Sequence, residues 1–401
     1  MSGTVISTII PIIFAPVMSR IFNPADFGVI GLYVSISMLL GVIAYSHYSH
    51  AIMLAGDKEE AKQVIWFTLF ITACVSLLVF LITIVLYFFT TAIDHSAVGF
   101  WYMFMPLSVF LNGVNATLLI WANRVQQYRT LANNRVIQAL LTIIIQISLG
   151  LLIKNETGLM IGLLGGQLIS AVLLLKDFFV KETYSIGNPD KKEFKKIAIR
   201  HKNFFFYSTP SDFINSLINQ APFFLLQKFA SISAVGSYAF TQRLLGLPQM
   251  FISSAITDVF KQKASVIYNA EGNCKSVFVK TFKSLGLLGL LPFLVLFAFA
   301  PQIIVFIFGE QWKEAGIYTQ FLGIMYYCRF VISPLSYVYF IAGRLRENFY
   351  LHILFLFSTV AAFYIGNYFF EDRTMMILCY SIMYSIIYII YLIRSYKFSC
   401  P

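Results

Sequence analysis

Arg243 and Arg329 stand alone among apolar residues, the first in Ala239-Phe-Thr-Gln-Arg243-Leu-Leu-Gly-Leu-Pro248, the second in Met325-Tyr-Tyr-Cys-Arg329-Phe-Val-Ile-Ser-Pro334. A guanidinium keeps its charge and presents a planar fork of donors that fits a phosphate. Neither arginine has an acidic neighbour on its own segment. Three readings follow: a cation paired across helices, a side chain that snorkels to the surface, or a group that faces a wet cavity and meets an anion there. Asp212, Asn215 and Asn219 recur at spacings of three and four, with Gln220 next, so one face of their helix is polar. Asp212 is then either an intramembrane acid suited to a coupling ion or proton, or a helix cap after Pro210 and Ser211. His47 and His50, three apart beside Ser46 and Ser49, suit a packed pair or a proton relay. Asn112, Asn115, Gln138 and Gln146 suit interhelical hydrogen bonds or a polar cavity wall, and Asp258 beside Lys261 reads as interfacial.

Chemistry of other kinds lacks its residues. Cys74, Cys274, Cys328, Cys379 and Cys400 stand far apart, without CxxC or Cys/His spacing, so neither a disulfide framework nor a metal centre is expected. No GxxxxGK[ST] loop points to ATP hydrolysis, and no nucleophile–base constellation occurs. The expectation is a protein that is not an enzyme and carries no cofactor.

The elements that position these residues are membrane spans. Of 401 residues, 59% are hydrophobic and 12% charged, against roughly a quarter charged in a soluble domain. Runs of about twenty apolar residues cross a bilayer core, and the chain divides into 2–18, 27–54, 64–90, 99–121, 136–153, 159–180, 204–226, 232–260, 284–308, 316–341, 349–369 and 375–393. The fold class is therefore all-α integral membrane, with about twelve transmembrane helices. One set of loops holds roughly twenty basic residues and the opposite set five, which places both termini in the cytoplasm. This asymmetry also accounts for the net charge of +11, and no nucleic-acid partner is expected. The apolar N-terminus runs into the second span without a cleavage pattern, so no cleavable signal peptide is expected. The stretch 181–203 reads as a basic cytoplasmic linker between two six-span halves, 1–180 and 204–401, solvated or lying along anionic headgroups. Gly158, Gly162 and Gly166 recur every fourth residue and permit a close helix contact. The many Phe and Tyr residues read as mostly lipid-facing and interfacial.

Four stretches resemble the polysaccharide repeat-unit flippases, the O-antigen (Wzx-type) transporters of the multidrug/oligosaccharidyl-lipid/polysaccharide exporter superfamily. They are Pro16-Val-Met-Ser-Arg20-Ile-Phe-Asn-Pro24-Ala-Asp-Phe-Gly28, Ala51-Ile-Met-Leu-Ala-Gly-Asp-Lys-Glu-Glu-Ala61, Phe308-Gly-Glu-Gln-Trp312-Lys-Glu-Ala-Gly316 and, most specific, Tyr207 to Ser265, with Thr209-Pro-Ser211, Gln220-Ala-Pro222, Val235-Gly-Ser-Tyr238 and Arg243-Leu-Leu-Gly-Leu-Pro248. The resemblance implies two six-helix lobes in a V around a central, often cationic cavity. It implies alternating access that carries an undecaprenyl-pyrophosphate-linked oligosaccharide across a bacterial cytoplasmic (inner) membrane, in lipopolysaccharide O-antigen or related polysaccharide synthesis. Arg243 matches the family's Y-x-x-x-x-R run, which adds weight to its phosphate-facing role, and Arg243, Arg329, Asn112, Asn115 and Gln220 are the candidates for the cavity that takes the pyrophosphate and sugars. A proton or sodium ion is the implied coupling partner, with Asp212, Asn215 and His47 as its candidates, although Asp212 matches its context in relatives poorly. Membrane lipid and polysaccharide polymerase machinery are the other implied partners. Relatives carry a few more polar residues before the first span. The alternative is a cation-coupled multidrug exporter of the same superfamily, which would want acids in its cavity. A membrane glycan polymerase is disfavoured because no outward loop exceeds roughly a dozen residues.

Overall fold

In a computed structural model the described residues are 2–45, 48–89, 97–181, 191–202 and 204–400, and they form helices with no strand among them. The chain divides into two compact units, Met1–Gln220 and Ala221–Pro401. Unit one contains α1 (Ser2–Ile13), α2 (Ala15–Ile21), α3 (Pro24–Tyr45), α4 (Tyr48–Leu54), α5 (Lys58–Phe89), α6 (Ala97–Tyr102), α7 (Met105–Arg124), α8 (Tyr128–Ile153), α9 (Glu156–Lys181), α10 (Lys191–Arg200) and the start of α11 (Thr209–Phe229). Unit two adds α12 (Ile232–Pro248), α13 (Ser254–Glu271), α14 (Lys275–Phe308), α15 (Lys313–Ile332), α16 (Val338–Ile341), α17 (Leu345–Phe370) and α18 (Arg373–Ser399).

Among the described residues, nine helical runs are long and apolar enough to cross a membrane. The other three expected spans are helical too, but each departs from a plain apolar rod. The first is split into α1 and α2. α11 carries the polar face of Asp212, Asn215, Asn219 and Gln220. The eighth is α12 and α13 joined through a π-helical turn, Gln249–Ser253, directly after Pro248. A second π turn, Phe204–Ser208, precedes Pro210, and a 3-10 turn at Ser333–Tyr337 contains Pro334. A proline in a helix lacks its amide hydrogen and displaces the carbonyl one turn back, so these irregular turns sit where the sequence cannot sustain the ladder.

Local chemistry explains the element boundaries and contacts. Asn23 and Asp26 cap α3 reciprocally: the Asn23 amide donates to Asp26 Oδ2 at 2.9 Å and the Asp26 amide to Asn23 Oδ1 at 3.1 Å, with Pro24 as the first helical residue. The Arg124 guanidinium donates to the carbonyls of Ile52, Ala55 and Asp57, satisfying the end of α4. α8 and α9 meet on the glycine face. A Cβ at Gly162 would overlap the Gln146 side chain and come within 2.8 Å of the Thr142 carbonyl oxygen, and one at Gly158 would lie 2.9 Å from the Gly150 nitrogen. Gln146 Nε2 then reaches across to the Leu159 carbonyl at 3.0 Å.

In unit two the Phe308–Gly316 stretch is a structural lock. Gly309 adopts φ 101°, a conformation suited to glycine. Trp312 is fully buried against Phe240, 4.3 Å between ring centroids. Glu314 accepts from Tyr318 Oη at 2.9 Å, pairs with Arg373 Nε at 3.0 Å and lies 3.3 Å from Ser237 Oγ, so one carboxylate ties α12, α15 and α18 together.

Residues 182–190 and 203 of the basic linker lie outside the described residues. Its described part is not a freely solvated run. Helix α10 buries Ile197 in the unit-one core and sets Phe194 against Phe67 and Phe70 of α5. Arg200 pairs with Glu60. His201 follows, with Nε2 buried and without a hydrogen bond. Burial, then the neighbouring Arg200, lowers its imidazole below the usual 6.5, while Glu60 opposes them. The docked state thus favours neutral His201, and its stability falls as pH drops below about 6.5. Faster amide hydrogen exchange in 191–202 at pH 5.5 than at pH 7.5, after correction for intrinsic rates and absent in His201→Asn, is the expected result.

Candidate functional site

Arg243 projects from α12 three turns after its Ser231 cap, and Arg329 from α15 one turn before the 3-10 break. Arg243 is exposed and Arg329 half-buried. Among the described residues no carboxylate lies within ion-pair distance of either guanidinium, and Arg243 has no hydrogen-bond partner. For the half-buried Arg329, partial removal from water without an acidic partner is unfavourable, and both guanidiniums are left with capacity for an anion.

What does surround Arg329 is phenol. Its guanidinium carbon lies 5.8 Å from the Tyr326 ring centroid. The Tyr326, Tyr380, Tyr384 and Tyr388 side chains lie within electrostatic reach of it. Tyr380, Tyr384 and Tyr388 follow one face of α18 at four-residue spacing, with successive centroids 5.3 and 5.4 Å apart. Phe355 of α17 packs on Tyr384 at 4.5 Å. Tyr326 is in hydrogen-bonding reach of Gln242, the residue before Arg243, and Tyr238 of Tyr380. All five tyrosines are buried. These five depart from the expectation that Phe and Tyr mostly face lipid, and the four-residue spacing on α18 marks their shared face.

Unit one holds a polar ladder. Asn112 Nδ2 donates to Ser37 Oγ at 3.1 Å, Ser37 and Ser108 hydroxyls lie 3.3 Å apart, and Ser108 donates to Gln167 Oε1 at 2.9 Å. Asn115 Nδ2 donates to the Gln167 carbonyl at 3.1 Å, while its Oδ1 lies 2.9 Å from the Ser170 hydroxyl, which is also 2.7 Å from Asn134 Oδ1. Asn115, expected as a candidate cavity residue, is buried with both amide atoms engaged in joining α7 to α9. Ser37, Ser108, Gln167, Ser170 and Asn134 were not singled out from the sequence.

Asp212 lies within the continuous helical run that starts at Phe204, half-buried and in electrostatic reach of the Tyr45 phenol. It is therefore not the first cap of that run. Asn215 is exposed, and its carbonyl accepts from Asn219 Nδ2 at 2.8 Å. Gln220 is half-buried, with Nε2 3.4 Å from the Met38 sulfur. His50 is exposed on α4, His47 lies outside the described residues, and Asp258 is exposed on α13.

Comparison with known proteins agrees with this architecture. The chain is 23% identical over 328 residues to the succinoglycan biosynthesis transport protein ExoT of Rhizobium meliloti (strain 1021), covering 80% of this chain and 63% of that protein. It thus spans less than two thirds of that relative's length. Its fold is similar to that of the lipid II flippase MurJ in an inward closed conformation, with a TM-score of 0.74 at 15% identity over 99% of this chain and 89% of that one. An inward-facing multidrug resistance MATE family transporter of the MOP superfamily matches with a TM-score of 0.72 at 15% identity over 98% and 93%. The chain is thus a multi-pass membrane protein with a MOP-transporter fold. The family model described as polysaccharide biosynthesis protein matches residues 17–316, most of the chain, and the protein belongs to that family.

Proposed function

We propose that the protein flips undecaprenyl-pyrophosphate-linked oligosaccharide repeat units across a bacterial cytoplasmic membrane by alternating access. The observation that carries this reading is the pair of guanidiniums, Arg243 and Arg329, held on apolar helices with no carboxylate within ion-pair distance among the described residues. The pyrophosphate is the part of such a substrate that cannot enter hydrocarbon unaided, because its charges lose hydration worth many kcal/mol. Preorganised arginine forks replace that hydration, while the lipid chain stays in the bilayer. In this proposal Arg243 and Arg329 take the pyrophosphate, and Asn112 and Gln220 meet the sugars. Asn115 serves the helix packing that holds Asn112 in place. Asp212, with Asn215 and His47, binds the coupling proton or sodium ion, since release requires an ion that favours one conformation over the other. The two halves, 1–180 and 204–401, flank the 181–203 linker with both termini in the cytoplasm, and polysaccharide polymerase machinery receives the product.

The likeness to a MATE transporter supports a second reading, a cation-coupled multidrug exporter. The sign of the unpaired charge on α12 and α15 weighs against it, because a cationic drug and an arginine repel. Deleting the gene in its native strain separates the two. The expected result is loss of surface polysaccharide, restored by the wild-type chain. Intact polysaccharide with raised drug sensitivity would overturn the flippase reading.

A further inference from the structure

Unit one carries an apolar groove of about 830 Å³. Its walls are α5, from Trp66 to Ala73, and α9, from Leu168 to Leu175; α7 forms its floor through Leu111 and Val114, and Phe194 of α10 closes one end. Seven residues of helix rise span about 10 Å, so the mean cross-section is about 80 Å², wide for one straight chain and roomy enough for a methyl-branched one. The walls change character abruptly. The α5 wall starts four residues after Lys62, and the α9 wall stops one residue before Lys176 and Asp177. The charged level at that end carries more base than acid: Lys195, Lys196 and Arg200 on α10, Lys202 beyond it, Lys62 and Lys176, against Glu193, Glu60 and Glu59, which are already paired with Lys196, Arg200 and Lys62, and Asp177. An apolar groove topped by excess positive charge has the polarity of a lipid anion: charged head at the interface, chain along the helices.

We infer that this groove seats the isoprenoid chain of the lipid-linked substrate as it loads, with its phosphate at the lysine-rich end by α10 before it passes to Arg243 and Arg329. The inference rests on the flippase reading and deepens it by assigning a tail site in unit one, separate from the arginines of unit two. It also gives α10 a task, because Phe194 both packs on α5 and closes the groove.

The test uses the purified full chain in nanodiscs of zwitterionic lipid, with a polyprenyl monophosphate bearing a diazirine in its chain. Crosslinks are expected in 66–73 and 168–175, displaced by unlabelled polyprenyl monophosphate and not by the same amount of phosphatidylglycerol. Ala73→Trp and Val172→Trp replace exposed wall residues and fill the groove, each lowering the crosslink yield about tenfold. Lys195→Glu with Lys202→Glu weakens labelling by the phosphate probe and leaves that by a polyprenyl alcohol unchanged. Equal displacement by phosphatidylglycerol would mean that ordinary membrane lipid fills the groove, and that arm needs no variant to fold. Labelling spread evenly over α14 and α17 would equally overturn the site. Failure here, with surface glycan still lost on gene deletion, removes the tail site alone. Retained glycan in the deletion removes the flippase reading instead.

Discussion

Replacing Arg329 with alanine is expected to slow glycan export by about one to two orders of magnitude while leaving the protein as stable as before, or more so. A cation that held helices together through a buried anion would, on removal, strand that anion and cost about 3–5 kcal/mol. Arg329 has no carboxylate at ion-pair distance among the described residues, so its removal strands nothing of that kind. The cation–π contact with Tyr326, at 5.8 Å, is worth about 0.5–1 kcal/mol, less than the desolvation cost that the truncation relieves. Transport loses a charge-assisted hydrogen bond worth about 1.5–3 kcal/mol, or roughly tenfold to a hundredfold in rate. Arg329→Lys keeps the charge but not the fork and falls between. The checks are surface-polysaccharide level in a complemented deletion strain and thermal denaturation of the solubilised protein. A strongly destabilised Arg329→Ala would instead mark the arginine as a structural cation.

The largest stability effect is expected at Gly162. Leucine there drives a side chain into Gln146 and the Thr142 carbonyl, and because the neighbour is backbone the helices must part. Overpacking of this kind costs about 3 kcal/mol, and it also breaks the Gln146 bond to Leu159. Gly246→Ala is the matched control. Nothing lies within 4 Å of its added Cβ, and the helix gains about 0.5–1 kcal/mol. The expected melts separate in opposite directions from wild type, and a Gly162→Leu protein melting with wild type would contradict the α8–α9 contact.

These two positions also show what was legible in the sequence. Four-residue glycine spacing announces a close helix contact, because the missing side chains let the two backbones approach. A lone arginine in an apolar run announces a site, because hydrocarbon tolerates it poorly. The tyrosines were harder to place. In a soluble helix the buried face is the apolar one, but in a bilayer both faces are apolar, so the spacing of Tyr380, Tyr384 and Tyr388 identifies a face without saying which way it points. Asn115 posed the same difficulty, since an amide reads alike whether its partner is Ser170 or a sugar. Helix α10 was legible in part: Phe194, Ile197 and Ala198 recur at helical spacing within the charge run, but the lysines dominate its composition. The expected count of about twelve spans exceeds the nine runs that are long and apolar enough among the described residues, because the first span is broken into α1 and α2, α11 carries a polar face and the eighth is divided between α12 and α13.

The most direct measurement is flipping by the purified chain in proteoliposomes, comparing a fluorescent polyprenyl-pyrophosphate oligosaccharide with a lipophilic cation. The account predicts that wild type moves the pyrophosphate lipid, that Arg243→Ala with Arg329→Ala does not, and that neither moves the cation. Transport of the cation by wild type, with the pyrophosphate lipid left in its original leaflet, would contradict the assignment of this site to an anionic substrate.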